Sequence, residues 1–395
     1  MFKRKIIEQI LPVLYTHDIL LFYWARQVWK TTLMEILQND YIKTRSCFLD
    51  LENLDLLNIL NQWPIIFIEY LKSAYDWNEE EEFTVFIDEV QYLNEPTSLV
   101  KYIHDHYKKI KLILSWSSTL EIRKKMKDSL AWRMFKFDIY PLSFEEFLIF
   151  KWKDNLAKHV GSPSEFNIID KELAFFYNEY LLFWWYPRVA LTNGIDEKKR
   201  YIKQIYDSYI QKDIKDIWKI NDIEAFNKCL KVLATQIGNL VNYSELSNKI
   251  WVSLANLKNR MLILENTFVT KTILPWSGNI RGELIRTPKL FFIDSWIRNY
   301  CINDFTISWA TFENSFFMYI NNAYKAEKTR YFRTKEKQEI DFILDDIPYE
   351  LKLKYEWKGL LALSRFEEET KNEGKVITLD KWNKKWRKAF YPREI

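Results

Sequence analysis

Tyr23-Trp24-Ala25-Arg26-Gln27-Val28-Trp29-Lys30-Thr31-Thr32 follows the apolar run Asp18-Ile19-Leu20-Leu21-Phe22 and leads into a segment of helical character, Lys30 to Gln38. A strand, a loop and a helix in that order are the setting of the phosphate-binding pattern G-x-x-x-x-G-K-[ST]. Lys30 and Thr31 stand where the pattern has its lysine and its hydroxyl, whereas Trp24 and Trp29 fill both of its glycine positions. Glycine is needed there because the loop takes backbone angles closed to other residues. Its amide N–H groups must also reach phosphate oxygens with no side chain in the way. An indole meets neither need, so either the chain encodes a disabled site or some of its tryptophans stand for glycines.

Composition bears on that choice. At the usual share of about 7%, 395 residues hold roughly 28 glycines, and this chain has 7 beside 17 tryptophans. If every tryptophan stood for a glycine, the total of 24 would be about 6% of the chain. A gene whose UGA codons are read as glycine in its own organism, but translated conceptually as tryptophan, has this signature. Ser115-Trp116-Ser117-Ser118, Ala131-Trp132-Arg133, Trp184-Trp185-Tyr186-Pro187 and Asp294-Ser295-Trp296 all read as turns once glycine is restored. Trp382 and Trp386, in the charged tail, carry no such signature. The alternative is an aromatic-rich chain that meets the pattern by coincidence.

The length suffices for two or three domains, each with its own core. Hydrophobic residues at 48% and charged residues at 28% describe a folded, water-facing chain. Cys47, Cys229 and Cys301 are widely spaced, with no metal-ligand pattern, which makes a reduced cytoplasmic setting the expectation. Met1-Phe2-Lys3-Arg4-Lys5 resembles the start of a signal peptide, but Glu8 interrupts the apolar residues after it. No apolar stretch reaches eighteen residues, so no membrane span is expected. A net charge of +4 permits nucleic-acid binding without requiring it.

Cys47-Phe48-Leu49, Thr84-Val85-Phe86-Ile87 and Lys111-Leu112-Ile113-Leu114 read as buried strands, with helices near Ile65–Tyr75 and Leu99–Tyr107 between them. Strands alternating with helices imply an α/β fold with a parallel sheet. The second of these strands delivers Asp88 and Glu89, one carboxylate for a magnesium shell and one to activate an attacking water. A strand that merely ends in a solvated acidic turn is the plain alternative. Lys30 is assigned to the β/γ-phosphates, Thr31 with Asp88 to the metal, and Thr32 to the α/β-phosphates. Ser115 and Ser117 are candidates to sense the γ-phosphate or the water; Arg133 is a candidate to approach phosphate from a neighbouring subunit, with an exposed structural arginine as the alternative. His104-Asp105-His106 point in different directions on a helix and read as solvated.

The loop, Phe86-Ile87-Asp88-Glu89-Val90-Gln91, the 115–118 and 131–133 segments and Pro141-Leu142-Ser143-Phe144-Glu145-Glu146-Phe147 resemble the prokaryotic AAA-type ATPases that carry a C-terminal domain of unknown function. The resemblance extends through Tyr186-Pro187 and Asn279 to Asn299. It implies a P-loop ATPase core over 1–150 that binds ATP and Mg through residues 24–32, with a helical lid over 151–220 in which Arg188 is a candidate γ-phosphate contact.

Over 221–300, helices started by Ser244 and Ser253 and the β-like Thr267–Leu274 describe a winged helix, with Asn256, Lys258 and Arg260 as candidate DNA contacts. Winged helices also serve as protein-contact modules. Over 301–395, the strand Glu339–Leu344, the turn Asp345-Asp346-Ile347-Pro348 and the strand Tyr349–Lys354 put Glu350 and Lys352 on one face. Asp341 comes from the paired strand and Glu313 from a preceding helix. This is similar to the PD-(D/E)XK nuclease fold, in which two carboxylates hold a divalent metal and the lysine serves the water. An exposed hairpin with a charged face is the alternative, and a retained fold with lost catalysis lies between the two. The expected whole is a cytoplasmic, magnesium-dependent ATPase acting on nucleic acid. The rivals are an ATP-gated module that docks a protein partner or a second copy and cuts nothing, and a pseudo-ATPase if the tryptophans are genuine.

Overall fold

Five runs of the first 141 residues become one parallel sheet. A computed structural model of the chain describes residues 4–24, 30–117, 130, 132–161, 167–183, 187–210, 214–215, 220, 222–276, 287–293, 295–324, 328–334, 338–353, 360–379 and 389–390. It divides into two compact units, Met1–Pro141 and Leu142–Ile395.

In the first unit a helix, α1 (Ile6–Leu14), precedes β1 (Ile19–Trp24), α2 (Lys30–Ile36) and β2 (Arg45–Asp50). Next come α3 (Leu54–Leu60), α4 (Pro64–Tyr75), β3 (Phe83–Asp88), α5 (Pro96–His106), β4 (Ile110–Ser117) and β5 (Met134–Ile139). The strand order is β2-β3-β4-β1-β5, with every pairing parallel. β3 is buried at all six positions, as are Leu20, Leu21 and Phe22 of β1, because helices cover both faces of such a sheet. Proline at the first turn of α4 and α5 starts each helix without losing a hydrogen bond. Sequence alone does not show β5, whose Met-Phe-Lys-Phe-Asp-Ile mixes charge into an edge strand. Trp116 is not in a turn, contrary to expectation: it is a buried residue of β4 whose ring stacks on Tyr23 of β1.

The second unit opens with α6 (Phe144–Phe150). Its Ser143 cap accepts the Glu146 N–H at 3.2 Å, and the Ser143 N–H donates to the Glu146 carboxylate at 2.7 Å. Phe144 packs edge-on against Tyr177 and Tyr180. For that reason the boundary falls at Pro141, not at 150 as the sequence suggests. α7 (Asp154–Ala157), α8 (Asn167–Phe183), α9 (Pro187–Leu191) and α10 (Ile195–Ser208) come next. Then come α11 (Ile223–Ala234), α12 (Tyr243–Ile250), α13 (Leu254–Asn266), β6 (Thr270–Pro275), β7 (Lys289–Phe292), α14 (Ser295–Ile302) and α15 (Trp309–Tyr324). The chain ends with β8 (Arg330–Arg333), β9 (Glu339–Leu344), β10 (Ile347–Lys352), α16 (Leu361–Thr370), β11 (Lys375–Thr378) and β12 (Ala389–Phe390).

β6 and β7 are antiparallel, and Leu240 bridges to Lys289 of β7, so the connection from α11 to α12 lies beside the hairpin. β8, β9 and β10 are antiparallel neighbours, and β11 is parallel to β10. β6 pairs with β8, which makes one sheet ordered β12-β11-β10-β9-β8-β6-β7. The 221–300 and 301–395 segments thus share a sheet instead of forming separate domains. The turn between β9 and β10 is Asp345-Asp346 alone, with φ of 47° and 63°, and Ile347 and Pro348 belong to the strand.

Among the described residues, three tryptophans occupy left-handed backbone. Trp152 (φ 60°) and Trp251 (φ 63°) lie just past the ends of α6 and α12. There the next N–H returns to the helix, Lys153 to Leu148 O at 2.8 Å and Val252 to Ser247 O at 3.1 Å. That is the helix stop usually made by glycine. Trp132 (φ 71°) sits in a turn closed by the Arg133 N–H on Leu130 O at 3.0 Å. Their exposures are 76%, 86% and 99% in the order 152, 251, 132, so these indoles pack on little. Trp77 differs: it is 3% exposed, and its Nε1 donates to Glu81 O at 3.0 Å. The left-handed region costs a residue with a Cβ about 1–2 kcal/mol. We therefore expect Trp132→Gly, Trp152→Gly and Trp251→Gly each to keep or raise stability, by up to about 1 kcal/mol, in urea unfolding. Trp77→Gly should lose about 3–5 kcal/mol.

Candidate functional site

The carboxyl ends of β1, β4 and β3 bring together the groups that the first motif requires. β4 lies between β1 and β3, so Ser115 stands between the loop that leaves β1 and the acids that leave β3. Thr31, in the first turn of α2, donates its hydroxyl to Asp88 Oδ2 at 3.0 Å. Ser115, fully buried, donates to Asp88 Oδ1 and accepts the Glu89 N–H at 2.8 Å. The same Glu89 N–H also lies 3.0 Å from Asp88 Oδ1. Glu89 itself is left-handed, with φ of 58°, and its carboxylate accepts from the Gln91 amide. Ser115 therefore sets the two acids and does not face a phosphate, which corrects the sensing role expected of it.

A threonine hydroxyl and a carboxylate are hard oxygen donors of the kind magnesium takes, with phosphate and water completing its shell. Among the described residues no group of three or more His, Cys, Asp or Glu is placed to hold a metal. Thr32 is half-buried one residue further along α2. Residues 25–29, the side chains of Trp24, Lys30 and Ser117, and residues 184–186 lie outside the described part of the chain.

One further expectation for this unit is overturned, that of His104. Arg133 precedes β5 at the amino end of the sheet, and its guanidinium pairs with Asp105 at 3.0 and 3.3 Å. His104 is buried, not solvated. Its ring lies 4.3 Å from that of His17, and its Nδ1 is 3.1 Å from Asp105. Burial lowers its pKa, against the Asp105 hydrogen bond, which raises it. His106 is exposed beside Tyr102.

In the second unit, Glu313 of α15, Asp341 of β9, and Glu350 and Lys352 of β10 form one cluster. Asp341 Oδ2 accepts the Leu351 N–H at 2.8 Å, and Lys352 Nζ lies 2.7 Å from Glu350 Oε1. Lys289, the first residue of β7, also enters it. Its Nζ is 3.0 Å from Glu313 Oε1 and pairs with Glu339. Sequence reasoning missed this lysine, which has no local pattern and reaches the acids only through the sheet. Burial raises Glu313 to about 7, with Lys289 opposing, and raises Glu350 to about 8, with Asp341 adding to the rise. Burial likewise raises Asp341. Lys289 is lowered by burial but raised more by Glu313, Asp341 and Glu339, so it stays an ammonium.

On α13, Asn256 and Lys258 are exposed, whereas Arg260 is buried and donates to Ala225 O at 2.6 Å. Arg260 is thus a core strut and not a surface contact. Arg188 is exposed and stacks over Tyr201 at 4.2 Å. Among the described residues no helix is long and apolar enough to cross a membrane.

The AAA domain family model matches residues 16–148, and the model of a domain of unknown function (DUF8612) matches residues 175–307. An uncharacterized protein of Haemophilus influenzae is 24% identical over 352 residues, which cover 80% of this chain and 83% of that one. An uncharacterized protein of Methanocaldococcus jannaschii is 24% identical over 351 residues, 87% of this chain and 76% of its own. Among solved structures, a signal transduction ATPase with numerous domains from Pyrococcus horikoshii is similar at 14% identity and a TM-score of 0.31. That similarity spans 83% of this chain and 46% of that one. The Bacillus subtilis DNA clamp loader delta protein is similar at 14% identity and a TM-score of 0.29, over 66% and 86% of the two chains. The family match and the parallel sheet make residues 16–148 an AAA-type ATPase domain.

The raised carboxyls have a consequence for stability. An acid whose folded pKa exceeds its unfolded one stabilises the fold while protonated; the contribution is whole below the unfolded value and is lost as pH rises through the folded value. For Glu350 that window runs from the ordinary 4.5 to about 8. Denaturant titrations across it should show stability falling with rising pH, and Glu350→Gln should flatten the slope.

Proposed function

We propose that the chain, with glycine at positions 24 and 29, is a magnesium-dependent ATPase whose nucleotide cycle governs a nucleic-acid-binding module in its second unit. The observation that carries this reading is the network joining Thr31, Asp88, Ser115 and Glu89 at adjoining strand ends. When bound, Mg-ATP supplies the electrophilic phosphoryl group and the metal's charge. The chain's own residues then divide the work. Lys30 at the start of α2 neutralises the β/γ-phosphates, and the loop 24–29 encloses them with N–H groups. Thr31 and Asp88 hold the cation. Glu89 would orient the attacking water and accept its proton, a water to which Ser117 is also assigned.

The glycines belong to this reading. Trp132, Trp152 and Trp251 sit in exposed left-handed positions where glycine is the ordinary occupant. Together with Trp24 and Trp29 in the loop pattern, they support UGA codons read as glycine by the organism. Trp77, buried and hydrogen-bonded, supports a genuine tryptophan at its own position.

For the second unit, the helices α11, α12 and α13 with the bridged hairpin β6/β7 support a winged helix, and exposed Asn256 and Lys258 support contact with DNA. The succession α15-β8-β9-β10-α16-β11, with Asp341, Glu350 and Lys352 gathered on it, supports a nuclease-like fold. A second reading, an ATP-gated module that binds nucleic acid, a protein partner or a second copy without cutting, is favoured by the lysines already paired inside the carboxylate cluster.

Trp24→Gly/Trp29→Gly protein should bind ATP and hydrolyse it on the order of 100-fold faster than the chain with both indoles. Lys30→Ala or Glu89→Gln should abolish that gain in a phosphate-release assay, and a glycine-restored protein unable to bind nucleotide would sink the proposal. Lys258→Ala should weaken duplex DNA binding evenly across sequences and reduce the salt slope by about 1; an unchanged slope would remove α13 from the interface.

A further inference from the structure

The nuclease-like reading requires a divalent cation among Asp341, Glu350 and Glu313, and each of those acids already has one oxygen engaged within the chain. Lys289 is 2% exposed, with its Nζ 3.0 Å from Glu313 Oε1 and paired to Glu339. Asp341 gives one oxygen to the Leu351 N–H, and Glu350 gives one to Lys352. Glu350 Oε2 is buried with no hydrogen-bond partner among the described residues. The positive charge a metal would bring to these acids is already present in the Lys289 ammonium, 3.0 Å from Glu313 Oε1. Glu313 is held in place from its other side: a Cβ at Gly238 would lie 2.2 Å from Glu313 Oε2, so Gly238 packs directly on that carboxylate. Swinging Glu313 toward a metal would strand a buried ammonium, which is costly without its counter-ion.

We infer that Lys289, supplied by the hairpin of the winged-helix segment, is the resident cation of this carboxylate cluster and takes the place of a divalent metal. Resting on the nuclease-like reading above, this makes the cluster a metal-independent joint between hairpin and sheet, in a module that binds without cutting. The charge is supplied from within the chain, and the acids serve to anchor β7 to α15 and β9.

The test uses full-length protein without nucleotide, Mn²⁺ as the probe, and free Mn²⁺ monitored by electron paramagnetic resonance alongside thermal unfolding. Wild-type protein should show no Mn²⁺ uptake that Asp341→Asn or Glu350→Gln removes, and the same unfolding midpoint in Mn²⁺ as in EDTA. These two variants separate the cluster from any uptake at Asp88. Lys289→Met should gain one equivalent of Mn²⁺, lost again on adding Asp341→Asn, and its midpoint should rise with Mn²⁺. Lys289→Met/Glu313→Gln removes both charges together and serves where the single variant does not fold. If neither folds, the wild-type titration decides.

Stoichiometric Mn²⁺ uptake by the wild type that depends on Asp341 overturns the inference while leaving the nuclease-like arrangement standing. A folded Lys289→Met protein that gains no Mn²⁺ also overturns it. The arrangement itself fails if Lys289→Met and Asp341→Asn act additively on the midpoint, since residues of one cluster must couple.

Discussion

Asp88 has two carboxylate oxygens, and three stretches of chain meet on them: the turn after the loop through Thr31, the end of β4 through Ser115, and the Glu89 backbone. This buried carboxylate makes the strand order matter. Only with β4 between β1 and β3 can a serine of β4 stand between the loop and the acids. Hydrogen bonds to a charged, buried acceptor are stronger than those between neutral groups. The acid is thus held in position before any ligand arrives. The left-handed Glu89 arises from the same contact, because its N–H turns back toward Asp88 and Ser115.

Much of this was legible in the residues. Unbroken apolar runs ending in a loop or in paired acids mark parallel strands and the strand ends where ligands bind, and Ile87-Asp88-Glu89 needs no homologue to be noticed. β5 escaped because an edge strand carries charges that break the apolar run. Ser115 was placed correctly at a strand end but given the wrong partner, since hydroxyl orientation depends on what the adjacent strand presents.

The second unit shows the complementary limit. The alternation of β10 put Glu350 and Lys352 on one face, and the short turn brought Asp341 beside them. Lys289 was invisible to that reasoning, since it belongs to a hairpin separated from the acids by two helices in the chain. Arg260 was misread for the reverse reason: a basic residue on a surface-type helix points inward, and its charge is spent on a backbone carbonyl. Periodicity reports faces well but does not report which distant element closes over a face.

The pairing of β6 with β8 has a mechanical implication. Backbone hydrogen bonding passes from the hairpin into the strands that carry the carboxylates, so the three-helix group and the acidic cluster ride on a single twisted slab. Whatever grips one end of that slab moves the other, and load applied at the helices is carried by the ladder itself.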